Sequence, residues 1–473
     1  MGNEKEVISF GTDGWRGVIA DNFTFANVER VAKAIGAYAL TLAKVSPVIT
    51  VGYDTRFHSK RFARTVAEKL AGAGCTVILS SGVVSTPALS SSVVDQRGTI
   101  GIMLSASHNP PEFNGIKIKT SKGCSAPENV TRTVESLLGK EPETTGKAGG
   151  IKEKDFTGGY WRRLKKFVDF DLIRKRKIKV VADPMYGAGI GYLEALLRDT
   201  ACTVSSIHAH PDPLFGGLHP EPIEEYLGEL KGAVVKNKAA AGLATDGDAD
   251  RIGVVDEKGR YLTPHQVFPL ILYYLCKYKG RKGKVVQAIS MGYLSERIAK
   301  DFNLDFEEVP VGFKFIAERI INGNILMGGE ESGGYGYGDY LPERDGILNS
   351  LMIIEMLAEL KRPLSRVVAE VEKKYGSSCY LRTDFINPGI PKMEFVETMK
   401  QKVPDRIAGL KVKQVKDYDG IEFIMEDDSW LLLRPSGTEP VIRVYSESDS
   451  YEKTRRIIGW GNRKVSGLRA LGG

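Results

Sequence analysis

The feature that most restricts the fold is an order of elements that recurs three times. An apolar, β-branched run ends at a turn at residues 48–53, 178–182 and 284–288. A helix-patterned segment follows each, at 61–71, 191–197 and 294–300. A second short apolar run comes next, at 76–79, 203–207 and 305–309. A third strand-like run then opens into a loop of small and polar residues, at 105–115, 245–251 and 328–338. Strands alternating with helices predict α/β units, and the recurrence predicts three of them in tandem.

From about Tyr375 the pattern changes. Residues 410–415, 420–425, 429–433 and 441–446 are closely spaced strand-like runs, and 451–465 reads as a final helix. That is the pattern of a smaller α+β domain with an antiparallel sheet. A chain of 473 residues needs several cores in any case, because single cores stop growing near roughly 250–300 residues. The expected class is α/β: three tandem α/β domains plus a smaller C-terminal α+β domain around a central cleft. The expected domains are 1–150, 151–256, 257–374 and 375–473, with the Gly- and Lys-rich stretch 139–154 as the first linker. Each carries one polar loop, so the loops are expected to share the cleft.

Composition excludes several classes of function. Hydrophobic residues make up 42% and charged residues 26%, as in ordinary globular proteins. The apolar stretch 267–276 is too short to span a bilayer, and Lys277 and Lys279 follow it. Residues 1–6 are polar, unlike a signal peptide, and Glu6 stands where a myristoylation motif wants Ser or Thr. Cys75, Cys124, Cys202, Cys276 and Cys379 are odd in number and lack CxxC spacing. They read as reduced thiols, which gives a cytoplasmic expectation. The net charge of +7 is spread along the chain, with basic runs only at 162–166 and 174–179. Neither nucleic acid nor a membrane is an expected partner, and the excess charge suits a small anionic substrate. The sequence leaves the oligomeric state open.

Thr245-Asp246-Gly247-Asp248-Ala249-Asp250-Arg251 carries three aspartates at a spacing of two. In an extended segment all three share a side. Clustered carboxylates are costly without a cation among them, and oxygen ligands favour Mg²⁺ or Ca²⁺. The loop does not continue as an EF-hand. Ser105-Ala106-Ser107-His108-Asn109-Pro110-Pro111, with Lys117 close by, brings together a hydroxyl, a proton-transfer group and a cation. That combination suits phosphoryl transfer. In Gly328-Gly329-Glu330-Glu331-Ser332-Gly333-Gly334 the glycines allow close approach, and Glu330 and Ser332 can hydrogen-bond sugar hydroxyls. In Arg434-Pro435-Ser436-Gly437-Thr438-Glu439-Pro440, Arg434 and the later Arg443 flank a hydroxyl-rich turn fit to grip a phosphate dianion. Arg16 lies on another Gly-rich turn, 11–17. Gly187-Ala188-Gly189-Ile190-Gly191 follows a strand, but its glycine spacing is wrong for a dinucleotide loop. His208, His210 and His219 lack the partners of a zinc site.

Together these loops, in this order, resemble the α-D-phosphohexomutase family over nearly the whole chain. That family includes phosphoglucomutase, phosphomannomutase and phosphoglucosamine mutase. The resemblance implies four domains around a cleft, the last of them mobile. It implies that Ser107 is the phosphorylated serine, and that Asp246, Asp248 and Asp250 hold Mg²⁺ together with an oxygen of that serine. Arg16, His108 and Lys117 fall on positions for phosphoryl and proton transfer. Arg251 falls beside the metal, and Glu330 and Ser332 contact sugar hydroxyls. Arg434, Ser436, Gly437, Thr438 and Arg443 grip the phosphate that is not reacting. The implied reaction interconverts hexose 1-phosphate and hexose 6-phosphate, with glucose 1,6-bisphosphate as intermediate and activator.

The loop Val311-Gly312-Phe313-Lys314-Phe315 is similar to the phosphoglucomutase version and adds Gly312 and Lys314 to the substrate contacts. Glu331, where the glucosamine enzymes usually carry Gln, and Gly334, where many dual-specificity enzymes carry His, point the same way. Glucose is therefore the expected sugar, with phosphomannomutase or phosphoglucosamine mutase specificity as the alternative. A non-catalytic sugar-phosphate binding protein on the same fold is the alternative of another class, and a phosphatase a further one.

Overall fold

The structure, a computed structural model, describes residues 8–11, 13–42, 46–140, 148–386, 390–436 and 441–469. Three mixed sheets share one topology. In the first, Thr76–Ser80, Val48–Tyr53 and Ile100–Leu104 lie parallel, and Phe113–Thr120 pairs antiparallel with the last of them. In the second, the matching strands are Thr203–Ser206, Lys179–Asp183, Ala241–Thr245 and Ile252–Asp256. In the third they are Phe306–Val309, Lys284–Ala288, Ile325–Gly329 and Tyr335–Tyr337. The first strand of each unit is a β-branched run buried along nearly its whole length, as a strand covered on both faces must be.

This topology places the chemistry. In each sheet the third parallel strand is left through a short hairpin loop instead of a helix. The serine, aspartate and glutamate loops are those hairpins. All three therefore emerge at the carboxyl edge of parallel strands, where the strand order reverses and open α/β sheets bind ligands.

The first sheet extends further than its apolar pattern. Trp15–Val18 adds to one edge and Ile151–Lys154, beyond the expected boundary at 150, to the other. The last strand reads Ile-Lys-Glu-Lys and is mostly exposed, so it gives no apolar run. It occupies the end of the expected linker, of which 141–147 lie outside the described residues. Tyr261–Leu262 likewise completes the second sheet beyond the expected boundary at 256.

The C-terminal sheet is antiparallel throughout, in the order Cys379–Ile386, Val441–Ser448, Trp430–Pro435, Ile421–Met425, Leu410–Lys416 and Arg406–Ile407. Helix Tyr451–Arg469 packs on it. Cys379–Ile386 escapes sequence reading because its side chains are alternately half-buried and exposed, with Arg382, Thr383 and Asp384 inside it.

One apolar cluster runs from Val84 and Met103 through the second and third sheets to Tyr375. The C-terminal sheet has its own cluster, including Phe423, Leu431, Val444 and Ile457. A small cluster of Ile289, Trp430, Leu432 and Tyr445 joins it to the third sheet. Among the described residues no helix is long and apolar enough to cross a membrane.

The buried helix Gly346–Leu360 follows directly on Arg344 and Asp345. Asp345 caps it: Oδ1 accepts from Leu348 N (2.8 Å) and Tyr160 Oη (2.7 Å), and Oδ2 from Tyr340 Oη (2.9 Å). Asp345→Ala removes the cap and strands two phenols. We expect a loss of roughly 2–4 kcal/mol, read as a clear fall in the thermal unfolding midpoint; an unchanged midpoint would show that the cap contributes nothing.

Candidate active site

Ser107 sits in the hairpin after Ile100–Leu104, fully buried, with φ of +54°. A non-glycine residue holds this left-handed conformation only when its surroundings enforce it. Here Ser107 N donates to Ser105 Oγ (2.8 Å), and Ser107 O accepts from Arg56 Nη2 (2.7 Å). Arg56 also donates to the carbonyls of Asn109 (2.5 Å), Pro110 (2.7 Å) and Phe113 (2.9 Å). One buried guanidinium, paired with Asp54 at 3.3 Å, thus organises the whole serine loop from the end of the neighbouring strand.

The aspartate loop is a tight turn, not the extended segment its spacing suggests. Ala249 has φ of +58°, and Asp246 Oδ1 folds back to accept from the N–H of Asp250 (2.9 Å) and of Arg251 (3.1 Å). Ser107 Oγ donates to Asp246 Oδ2 at 2.8 Å. Asp248 Oδ2 accepts from Lys117 Nζ (2.7 Å) and from Thr86 Oγ1. Asp250 Oδ2 accepts from Arg344 Nη2 (2.6 Å) and Lys117 Nζ (3.3 Å). In Asp248 and Asp250 the other oxygen, Oδ1, is buried with no hydrogen-bond partner among the described residues.

Ligand atoms of the three carboxylates lie within 4.8 Å of one another. Burial, then the charges of Asp250 and Asp248, push the Asp246 carboxyl well above its usual range. Burial opposes ionisation of Asp248 too, but Lys117 outweighs it and holds that carboxyl low. A hard divalent cation fits this donor set: oxygens only, buried, each carboxylate fixed by hydrogen bonds, and one oxygen each of Asp248 and Asp250 without a hydrogen bond among the described residues.

Glycines let the loops meet. A Cβ on Gly247 would stand 2.3 Å from Ser107 O, and one on Gly187 2.7 Å from Gly247 O. The glycines after the strand Lys179–Asp183 therefore serve backbone packing against the aspartate loop.

Lys117, 1% exposed, also pairs with Asp13 at 2.9 Å. Burial disfavours its charge, but Asp13, Asp248 and Asp250 outweigh burial and keep it an ammonium. His108 is different. Burial, then Arg251, Arg16 and Lys117, hold its imidazole well below the usual range, so it is neutral near pH 7. Its Nδ1 has no hydrogen-bond partner among the described residues. Arg16 Nη1 donates to Asn109 Oδ1 at 2.5 Å.

Above this floor a cavity of about 390 Å³ gathers all four units. The first contributes Arg16 and His108, and the second Arg251, whose Nε is 3.9 Å from both Asp246 and Asp250. The third contributes Gly312, Lys314, Glu330 and Ser332. The fourth contributes Arg434, Ser436 and Arg443. Gly437 and Thr438 lie outside the described residues. Ser107, Lys117 and the aspartates lie buried at the base. Glu330 Oε1 accepts from Gly312 N (3.0 Å) and Oε2 from Arg344 Nη1 (3.1 Å), while burial raises its pKa. Ser332 Oγ is buried with no hydrogen-bond partner among the described residues. Arg434 Nε donates to Asp419 Oδ2 (2.9 Å), which also accepts from Val311 N (2.7 Å). The last sheet is thereby tied to the loop of the third.

Asp13, Arg56, His219, Arg344, Arg382 and Asp384 are functional neighbours that sequence reasoning missed. Asp13 was within reach, since it shares the Gly-rich turn with Arg16. The others are single polar residues without periodicity or motif.

The four domain profiles of the phosphoglucomutase/phosphomannomutase family match this chain in order. The α/β/α domains I, II and III match residues 7–145, 158–259 and 263–375, and the C-terminal domain matches 398–458. A phosphoglucomutase/phosphomannomutase of Thermococcus kodakarensis is 32% identical over 96% of this chain and 97% of its own. A phosphoglucosamine mutase of Caldicellulosiruptor saccharolyticus is 31% identical over 94% of this chain and 96% of its own. A solved structure from Thermus thermophilus, provisionally named a phosphomannomutase, is 35% identical. It superposes with a TM-score of 0.87 over 97% of this chain and 99% of that one.

Arg56→Met keeps the bulk of the side chain and removes every bond to the four carbonyls. A shift of the serine loop by about 1 Å costs on the order of a hundredfold in rate. We expect kcat to fall by that factor while KM and the circular dichroism spectrum stay near wild type. An unaltered kcat would show that the loop holds its shape without Arg56.

Proposed function

The chain belongs to the phosphoglucomutase/phosphomannomutase family of intramolecular phosphotransferases, and on that footing we propose that it interconverts hexose 1-phosphate and hexose 6-phosphate with Ser107 as phosphoryl carrier. The observation that carries the reading is the bond from Ser107 Oγ to Asp246, inside a buried carboxylate cluster braced by Lys117.

In the proposed reaction the bond from phosphorus to Ser107 Oγ breaks as one forms to the free sugar hydroxyl. The hydroxyl proton passes to a neutral base, for which His108 is the candidate. The 1,6-bisphosphate then reverses end for end, and Ser107 takes the other phosphoryl group. Asp246, Asp248, Asp250 and an oxygen of the phosphorylated Ser107 would hold Mg²⁺, which would supply charge neutralisation of the transferring phosphoryl group. Lys117 stays cationic and adds to that neutralisation. Arg16 orients Asn109 beside the entering hydroxyl. Arg251, Arg434, Ser436 and Arg443 hold the phosphate that does not react. Glu330, Ser332, Gly312 and Lys314 receive the sugar. Glucose 1,6-bisphosphate is the proposed activator, because it can phosphorylate Ser107. The cytoplasm is the proposed compartment, in keeping with five free cysteines.

For the sugar, the expected glucose preference is the weaker reading. Its sequence marks have packing explanations. Phe313 is buried, with Gly336 against its ring edge and the Arg344 guanidinium 5.6 Å from its centroid. The space beside Gly334 is filled by Arg344. Glu331, taken as a mark against glucosamine, accepts from Ser290 Oγ at 2.5 Å. The relatives bear mannose and glucosamine names as well as glucose. We therefore propose a mutase that accepts mannose or glucosamine phosphate at least as well as glucose phosphate.

Coupled assays on glucose, mannose and glucosamine 1-phosphates in parallel test the preference. Turnover of glucose 1-phosphate alone would restore the glucose reading. Exhaustive chelation should abolish activity and Mg²⁺ restore it. Intact-mass analysis after incubation with glucose 1,6-bisphosphate should show one added phosphate on the wild type and none on Ser107→Ala. Phosphate mapped to Ser105, Ser332 or Ser436 would defeat the assignment of the carrier.

A further inference from the structure

We propose that Arg344 is a positioning residue that sets one metal carboxylate and the sugar-loop carboxylate with a single guanidinium, and that position 334 is glycine to give it passage. The inference rests on the mutase reading for the names of the two sites, but not for their geometry.

Arg344 immediately precedes the cap of helix Gly346–Leu360 and is 6% exposed. Its Nη2 donates to Asp250 Oδ2 (2.6 Å) and Asp13 Oδ2 (2.9 Å), and its Nη1 to Glu330 Oε2 (3.1 Å). Its two terminal nitrogens thus face different loops, one at the metal end of the cavity and one at the sugar end. The planar fork fixes their separation, which an ammonium cannot do. Pinning Asp250 by Oδ2 leaves Oδ1, 3.9 Å from Arg251 Nε, without a hydrogen bond among the described residues and so available to a cation. Pinning Glu330 by Oε2, with Gly312 N on Oε1, leaves only the remaining lone pairs for a sugar hydroxyl.

The route of the side chain is as specific as its end. A Cβ at position 334 would lie 2.2 Å from Arg344 Cδ, 3.0 Å from Cγ and 3.3 Å from Nε. The stem therefore lies flat on the Gly334 backbone. Gly334 does not have a positive φ, so space and not conformation demands glycine there. Any side chain at 334 competes with Arg344 for one path into the cavity.

A double-mutant cycle tests this, because residues sharing one function are non-additive. The proteins are wild type, Arg344→Gln, Arg344→Lys, Gly334→Ala and Gly334→Ala/Arg344→Gln. Mn²⁺ binding is read by electron paramagnetic resonance on the free proteins, and KM for the preferred hexose 1-phosphate by coupled assay. We expect Arg344→Gln to weaken Mn²⁺ binding and to raise KM, each by about tenfold, the size of one lost charge-assisted hydrogen bond. Gly334→Ala, which removes no charge, should move both quantities the same way, and the double variant should be no worse than Arg344→Gln. Arg344→Lys keeps the charge without the fork and should fail to restore both quantities together. If Arg344→Gln does not fold, Gly334→Ala and Arg344→Lys still decide. The inference falls if Arg344→Gln moves only one of the two quantities, if Gly334→Ala moves neither, or if the two effects multiply. Absence of hexose phosphate turnover in the wild type would sink the mutase reading instead, while the Mn²⁺ cycle would still score Arg344.

Discussion

Three carboxylates buried within 4.8 Å of one another are the constraint on which the rest of the site depends. Like charges out of water repel strongly, and burial penalises each one separately. The fold answers with cations from other units. Lys117 comes from the first sheet and Arg344 from the third unit, and Asp13 holds the two cations together. Among the described residues they leave Oδ1 of Asp248 and of Asp250 without a hydrogen bond, while the Ser107 hydroxyl bonds Asp246. The site is a charge balance left incomplete at the point where chemistry is proposed.

The balance also explains why three similar sheets are needed. Each sheet delivers one loop at its carboxyl edge, and no single loop carries both signs of charge in the required geometry. The aspartate loop is acidic and turns on itself. The serine loop is held by a cation from a neighbouring strand end. The glutamate loop reaches the end of the aspartate loop through the bond from Ile252 N to Gly333 O, and its carboxylate reaches the metal end through Arg344. Backbone contacts through Gly187 and Gly247 bring two of these loops closer than side chains would allow.

Much of this was legible in the chain. The recurring apolar runs located the parallel strands of all three sheets, because strands buried on both faces leave uninterrupted β-branched segments. The four polar loops stood out because each breaks a buried strand. What stayed hidden has physical reasons. Ile151–Lys154 and Cys379–Ile386 are partly exposed edge strands, so no apolar run marks them. Arg56 and Arg344 are lone cations whose roles depend on carbonyls and carboxylates distant in sequence. The aspartate spacing suggested a shared side, yet the cluster forms through a turn with Ala249 in the left-handed region. Sugar preference was the least legible, since Phe313 and Gly334 turned out to serve the packing around Arg344.

The C-terminal unit encloses its own apolar cluster, as the first sheet does, while a larger cluster runs from the first unit through the second and third. Its joint to the third unit combines a patch of four buried side chains with several polar ties: Arg434 through Asp419 to Val311, Lys416 and Tyr418 to Glu308, Tyr293 N to Glu447, and Arg297 to Asp428. It delivers Arg434, Ser436 and Arg443 to the cavity but none of the carboxylates at its base. The consequence is a division of labour: substitutions in this unit change what meets a ligand at the far wall of the cavity, while Ser107, Lys117 and the three aspartates at its base belong to the first two units.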